Sequence, residues 1–242
     1  MIAATACTTT ACTKIARRFI NDAGTVVGER VFARNGGGGT VPVRWRTLTS
    51  PAADLPLPGP GWDGTVTGLD EDGTAVGTIS DGFAPSRTRG YLWHPDGTGE
   101  FLPVPVTPQG NASAFWPVSV RNGWVVGTMR RAVPGGMMTA TMRLNLATGE
   151  FTWLPEPAEF YPVAGTARGW AVGRLGLEAG ATRAVLLTDA GVVELPEPKA
   201  GRGKWDPMPS AVSDDGRTIA GTHTEWVPGR PRSGVPVRWQ CR

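Results

Sequence analysis

A short apolar phrase ending in glycine occurs five times along this chain. The copies TVVG, TAVG, WVVG, WAVG and TIAG close at Gly28, Gly77, Gly127, Gly173 and Gly221. Successive glycines lie 49, 50, 46 and 48 residues apart, so five periods fill the 242 residues. Self-similarity at this spacing marks a repeat architecture, in which each unit buries its faces only against its neighbours. Because the repeat reaches both ends, one domain spanning residues 1–242 is expected.

The second copy shows the unit most clearly. Residues 65–69 (TVTGL) form a first run, DEDG (70–73) turns the chain, and TAVGTI (74–79) forms a second run. The polar stretch SDGFAPSR follows, then GYLW (90–93), the turn PDGTG (95–99) and EFLPV (100–104). Asp-Gly turns between β-rich runs are hairpin chemistry, because Gly and Asp tolerate the positive φ that tight turns require. No segment sustains a helical period, so the chain reads as all-β with four strands per copy. Elsewhere the first turn is NDAG, RNG, ARG or SDDG, and the third strand is VPVRW at both 41–45 and 235–239. The fourth strand carries Leu-Pro at Leu55, Leu102, Leu154 and Leu195. Proline lacks a ladder donor, which marks that strand as an outer edge.

Five four-stranded units of about 48 residues predict a five-bladed β-propeller. The blades fall at 17–58, 64–106, 114–157, 160–198 and 206–241. A β-sandwich, the competing all-β architecture, requires no such period. The strand-two glycines are expected to let neighbouring blades approach, with Trp45, Trp93 and Trp239 filling the wedges between them. The fifth copy stops after its third strand. The Thr-rich N-terminal segment, residues 2–13, has strand-forming composition and is expected to complete that last blade. This pairing would bring Cys241 beside Cys7 or Cys12, so a disulfide between Cys7 and Cys241 is expected, with one thiol left over.

INDAGTVVG (20–28) and RGYLW (89–93), followed by a Leu-Pro strand, resemble the HAF-type bacterial extracellular repeat. The resemblance covers essentially the whole chain in five degenerate copies. It implies a propeller-like fold and an exported bacterial protein, extracellular or in the cell envelope. It implies no catalytic residues. The first residues, MIAATACTTTACTKIARR, have neither an early positive charge nor a leucine-rich stretch, so no signal peptide is expected in this chain.

Composition narrows the function classes. Formal charge is +3 and the arginines are scattered, unlike the dense basic stripe of a nucleic-acid binder. No run of 18 apolar residues offers a membrane helix. His94 and His223 are the two histidines and occupy different strand positions, which argues against a histidine metal site or a Ser-His-Asp triad. LDEDG (69–73) lacks the spaced ligands of a calcium loop and reads as a hairpin turn. The glycine run at 36–39 precedes no Lys-Ser and no helix, so it reads as a floppy loop rather than a phosphate cradle. No metal and no cofactor is expected.

Binding residues ride on the longer loops of a rigid scaffold. Here these are 29–40, 80–88, 129–140, 174–182 and 222–234, together with the links between blades. The links hold Trp62, Trp116, Tyr161 and Trp205, and Trp226 joins them from a strand-two loop. Aromatic faces beside Arg and Asp suit a carbohydrate or a protein ligand. The competing reading is that they fill the spaces between blades. The predicted inner strands hold no Asp or Glu, so a propeller-type glycoside hydrolase or lyase would depend on Asp63 and Asp206, each following a tryptophan. The expectation is a monomeric, non-catalytic binding or scaffold propeller acting through its long-loop face. The hydrolase or lyase is the alternative.

Overall fold

The computed structural model describes residues 3–8, 11–34, 37–82, 84–107, 110–111, 114–133, 136–154, 160–176, 182–197, 204–226 and 233–241. The first sheet contains β1 (Ala3–Thr8), β2 (Ala11–Ile20), β3 (Val26–Arg34), β4 (Gly37–Trp45) and β5 (Ala53–Asp54). The second contains β6 (Trp62–Leu69), β7 (Ala75–Asp81), β8 (Ala84–Trp93) and β9 (Gly99–Phe101), and a two-stranded ribbon of β10 (Val106–Thr107) and β11 (Gly110–Asn111) follows. Then come β12 (Ala114–Arg121), β13 (Trp124–Val133), β14 (Gly136–Asn145) and β15 (Phe151–Trp153). The fourth sheet is β16 (Phe160–Gly165), β17 (Ala171–Gly176), β18 (Thr182–Thr188) and β19 (Gly191–Glu194). The fifth is β20 (Lys204–Val212), β21 (Thr218–Trp226) and β22 (Ser233–Gln240). In every sheet the strands lie in chain order, and the described strand pairings are antiparallel. No helix occurs among the described residues. The succession of repeat-matched sheets is that of a five-bladed β-propeller.

Contact density divides the chain into two compact units, Met1–Val120 and Arg121–Arg242. The division falls at the end of β12.

The repeated glycine has a different reason from the one expected. Gly28, Gly77, Gly173 and Gly221 each face a β-bulge in strand one, at Arg17/Phe19, Val66/Gly68, Pro162/Ala164 and Pro209/Ala211. A Cβ at these glycines would collide with the carbonyl oxygen of Ala16, Thr65, Tyr161 or Met208 respectively. The extra residue of the bulge pushes strand-one backbone into the space a side chain would fill. The crowding therefore arises inside each sheet. Close approach between sheets occurs instead at Gly68, where a Cβ would lie 2.7 Å from the Val120 amide nitrogen.

Two other repeated signals are halves of one contact. Trp93 Nε1 donates to the Pro56 carbonyl and Trp239 Nε1 to the Pro196 carbonyl, each at 2.8 Å. The leucines of the same Leu-Pro steps, Leu55 and Leu195, share buried clusters with those tryptophans. Strand three of one sheet thus locks onto strand four of the sheet before it, within each unit. The indole satisfies its polar N–H while its rings fill the core, which is why tryptophan suits the position. Leu-Pro also closes its own sheet, since the amides of Leu55, Leu102, Leu154 and Leu195 bond back to strand three. Trp153 is 39% exposed on the edge strand β15.

Several expected loops are arms of long hairpins. β3 and β4 stay paired out to Arg34 opposite Gly37, and β13 and β14 out to Val133 opposite Gly136. The glycine run at 37–39 accordingly lies in strand β4, and Gly39 is buried beneath Phe32. Polar and apolar residues mix along these arms in the sequence, so the clean alternation that betrays a half-buried strand is missing.

The N-terminal segment does not complete the last sheet. β1 pairs with β2 in the first sheet, in register from Ala3 opposite Ala16 to Thr8 opposite Ala11. Two residues connect the strands, so the contact is local and costs far less closure entropy than pairing with the far end of the chain. Among the described residues the fifth sheet has three strands. The expected Cys7–Cys241 disulfide fails with that pairing. Cys241 is a free, half-buried thiol packed beside the Trp239 cluster, its amide bonded to the Arg217 carbonyl.

Candidate binding surface

The aromatic candidates sit at the starts of the innermost strands rather than in free links. Trp62 opens β6, Trp116 is the third residue of β12, Tyr161 the second of β16 and Trp205 the second of β20. Trp226 ends β21, opposite Lys204. The side chains of Trp205 and Trp226 lie outside the described residues.

In the first unit, Trp62 is partly buried against the core that contains Leu55 and Trp93, and it meets Phe101 edge-on at 5.9 Å. Phe101 lies between Trp62, Tyr91 and the Arg89 guanidinium, the last at 3.9 Å from its ring. Trp62 therefore packs against that core. Trp116 is half-buried.

In the second unit, Tyr161 is 56% exposed and stands directly opposite Arg174 across the β16–β17 ladder. The Arg174 guanidinium reaches the Met208 sulfur at 3.2 Å, and Met208 is itself 39% exposed. An aromatic face, a cation and a polarisable thioether thus form one patch. Such a patch can stack on an apolar sugar face or hold a flexible peptide side chain.

The two carboxylates of the hydrolase alternative occupy equivalent positions. Asp63 pairs with Ser80 and Asp206 with Thr224, each three residues past the repeat glycine. The Asp63 carboxylate accepts the Thr40 amide at 3.2 Å, and Asp206 accepts the Thr182 hydroxyl at 2.5 Å. Thr40 and Thr182 hold the same place in strand three of the preceding sheet, just before VPVRW and RAVLL. The Trp-Asp echo is thus a repeated tie between consecutive sheets. Its partner threonines were legible at a fixed offset from the third strand, and no chemistry called attention to them.

Two cavities accompany these elements. One, of about 540 Å³, lies in the first unit at the short-turn end, lined by Arg44, Arg46, Asp54, Asp72 and Asp96 among others. Arg44 donates to the carbonyls of Gly73, His94 and Pro95, spanning both turns of the second sheet. Burial pulls its pKa below the ordinary arginine value, and Asp72 and Asp96 oppose that shift. Arg143 repeats the device in the second unit, bonding the Arg168 carbonyl and pairing with Asp189 at 2.7 Å. These turn-clasping arginines, in copies one and three, escaped the sequence reading because arginine on a strand looks solvated.

The second cavity, of about 470 Å³, lies in the second unit between β18, β19 and β21. Arg183, Glu194, Glu197 and buried His223 line it. Burial lowers the His223 pKa, while Glu197 and Asp206 pull it the other way. No group of three or more metal-ligating side chains occurs among the described residues. LDEDG is the hairpin turn expected of it, with Asp72 accepting the Thr74 amide at 2.7 Å. No helix among the described residues is long and apolar enough to cross a membrane.

Comparisons with known proteins agree on architecture. TolB from Acinetobacter baumannii superposes with a TM-score of 0.55 at 14% identity, over 93% of this chain and 54% of that one. A structure of prolyl endopeptidases, studied for inter-domain dynamics in catalysis and specificity, gives 0.58 at 12%, over 93% of this chain and 35% of that one. This chain therefore spans about half the length of the first and a third of the second. At such identities the likeness concerns the fold: the protein is of the β-propeller class. No family model matches the chain, and no curated protein matches it.

Proposed function

We propose that this protein is a non-catalytic binding or scaffold propeller whose ligand is a carbohydrate or cell-surface polymer, held at the long-loop end. The observation that carries this reading is the exposed Tyr161 beside Arg174 and Met208. A flat aromatic with a neighbouring multi-donor cation matches the alternating apolar and hydroxylated faces of a sugar. The HAF-type resemblance adds export to the cell envelope or beyond, where such polymers are the available ligands. The hydrolase or lyase alternative has less behind it, because Asp63 and Asp206 each accept a hydrogen bond from a threonine of the preceding sheet. The test is a glycan array with the intact protein, Tyr161→Ala and Trp205→Ala. Binding by the intact protein that weakens about tenfold or more in Tyr161→Ala supports the reading. No binding to any glycan, or binding indifferent to Tyr161, overturns it.

A further inference from the structure

The position one past the repeat glycine is Glu29, Thr78, Thr128, Arg174 and Thr222 in the five copies. In the second copy Thr78 closes onto its ladder partner Thr65, hydroxyl to hydroxyl at 3.0 Å. In the first, Glu29 is buried and accepts the Arg18 guanidinium at 2.7 Å. Both side chains are thus engaged inside their own sheet. Arg174 differs. Its ladder partners are Tyr161 and Ala184, and the alanine offers no side-chain acceptor. Among the described residues its guanidinium makes one hydrogen bond, to the Met208 sulfur, which is a weak acceptor.

The acids on the elements around Arg174 are directed elsewhere. Asp206 accepts the Thr182 hydroxyl, and Glu194 pairs with Arg183. Glu197 follows β19, two strands outward from β17. A guanidinium presents five donors in a planar fork that matches a carboxylate through two parallel bonds. A single thioether leaves most of that fork open beside the exposed Tyr161 ring. The charge of the unit favours the same kind of ligand. Arg121–Arg242 holds fifteen Lys and Arg against eleven Asp and Glu, whereas Met1–Val120 holds nine against ten. An anionic polymer is therefore drawn toward the unit that carries the open guanidinium.

We propose that the Tyr161–Arg174 surface binds an acidic polysaccharide, with a uronate carboxylate on Arg174 and a sugar ring stacked on Tyr161. The assignment rests on the carbohydrate reading above and names the sugar class. Tyr161 supplies the apolar platform, and Arg174 selects rings that carry a carboxylate over neutral ones.

The experiment is a calorimetric titration of the 242-residue protein with oligogalacturonate, with its methyl ester and with a sulfated dextran of similar length. Saturable binding of oligogalacturonate is expected. Esterification, which keeps the ring and removes the charge, should weaken it about tenfold or more, and so should Arg174→Gln. The ester comparison uses the intact protein, so the test stays decisive should Arg174→Gln not fold. The sulfated dextran, which shares the negative charge without the planar carboxylate, should bind more weakly than oligogalacturonate. Three results overturn the proposal: no saturable binding, affinity unchanged by esterification or by Arg174→Gln, or sulfated dextran bound as tightly. A neutral glycan held through Tyr161 while oligogalacturonate is ignored also overturns it and leaves the carbohydrate reading standing. Absence of binding to every glycan removes that reading itself.

Discussion

The pentapeptide VPVRW at 41–45 and the same letters at 235–239 form the third strand of their respective repeats, yet their surroundings differ. In the first copy β5 runs alongside and Leu55 closes the edge, leaving Val43 fully buried. In the last copy no described strand follows, and Val235 is 47% exposed. What the copies share is set by strand two, which pairs with both in the same register, Gly28 opposite Val43 and Gly221 opposite Val237. What separates them is the neighbour across the outer edge. A repeat motif therefore specifies the inside of its sheet, and burial depends on what the rest of the chain supplies.

Four substitution sets sharpen that contrast, in decreasing order of size. Gly28→Ala and Gly221→Ala meet the same bulge, so both regions should respond alike, each losing about 3 kcal/mol in urea denaturation. A tolerated alanine at either position would break the shared part of the comparison. Val43→Ala should cost about 2 kcal/mol and Val237→Ala less than about 1, since only the first removes methyl groups from a closed core. Equal costs would mean that the last copy is covered after all. Trp93→Phe and Trp239→Phe each lose one indole bond to a Leu-Pro carbonyl, and a drop of about 1 kcal/mol apiece is expected in thermal unfolding.

The smallest effect concerns the residue two past the repeat glycine, Arg30 in the first copy and His223 in the last. Arg30 is ion-paired with Asp54, whereas His223 is buried with its pKa lowered from 6.5. Below 6.5 the unfolded chain takes up a proton that the folded chain resists, so stability is full above that value and falls as the pH drops below it. The fall cannot exceed about 1.4 kcal/mol per pH unit, and Glu197 and Asp206 reduce it. His223→Gln should flatten the stability profile between pH 7 and 5, while Arg30→Gln should leave that slope in place.

Most of the sheet framework was legible in the letters. Glycine-closed turns punctuate it, and Gly24, Gly73, Gly123, Gly169 and Gly216 all adopt the positive φ those turns demand. Leu-Pro correctly marked the outer strands, because a proline's missing donor is a local fact. The bulges were not legible, since an extra residue in strand one leaves no composition of its own; only the glycine opposite records it. The N-terminal strand was misplaced because its threonines signal a strand without naming a partner, and the nearest partner won. For the binding surface, sequence singled out Tyr161 by type. Arg174 and Met208 join it through cross-strand register and side-chain reach, which no spacing rule contains. Asp63 and Asp206 drew attention as carboxylates, and their threonine partners gave them a structural use.

Hydrogen exchange resolved to single amides offers the most direct test of the open-edge claim. It compares Arg44, whose strand is covered by β5, with Arg238, whose strand is not. The account predicts a slow Arg44 amide and an Arg238 amide exchanging at least about a hundredfold faster, while Val43 and Val237, both paired with strand two, remain protected. Equal protection at Arg44 and Arg238 in the isolated protein would contradict it, because a fourth strand would then already be in place.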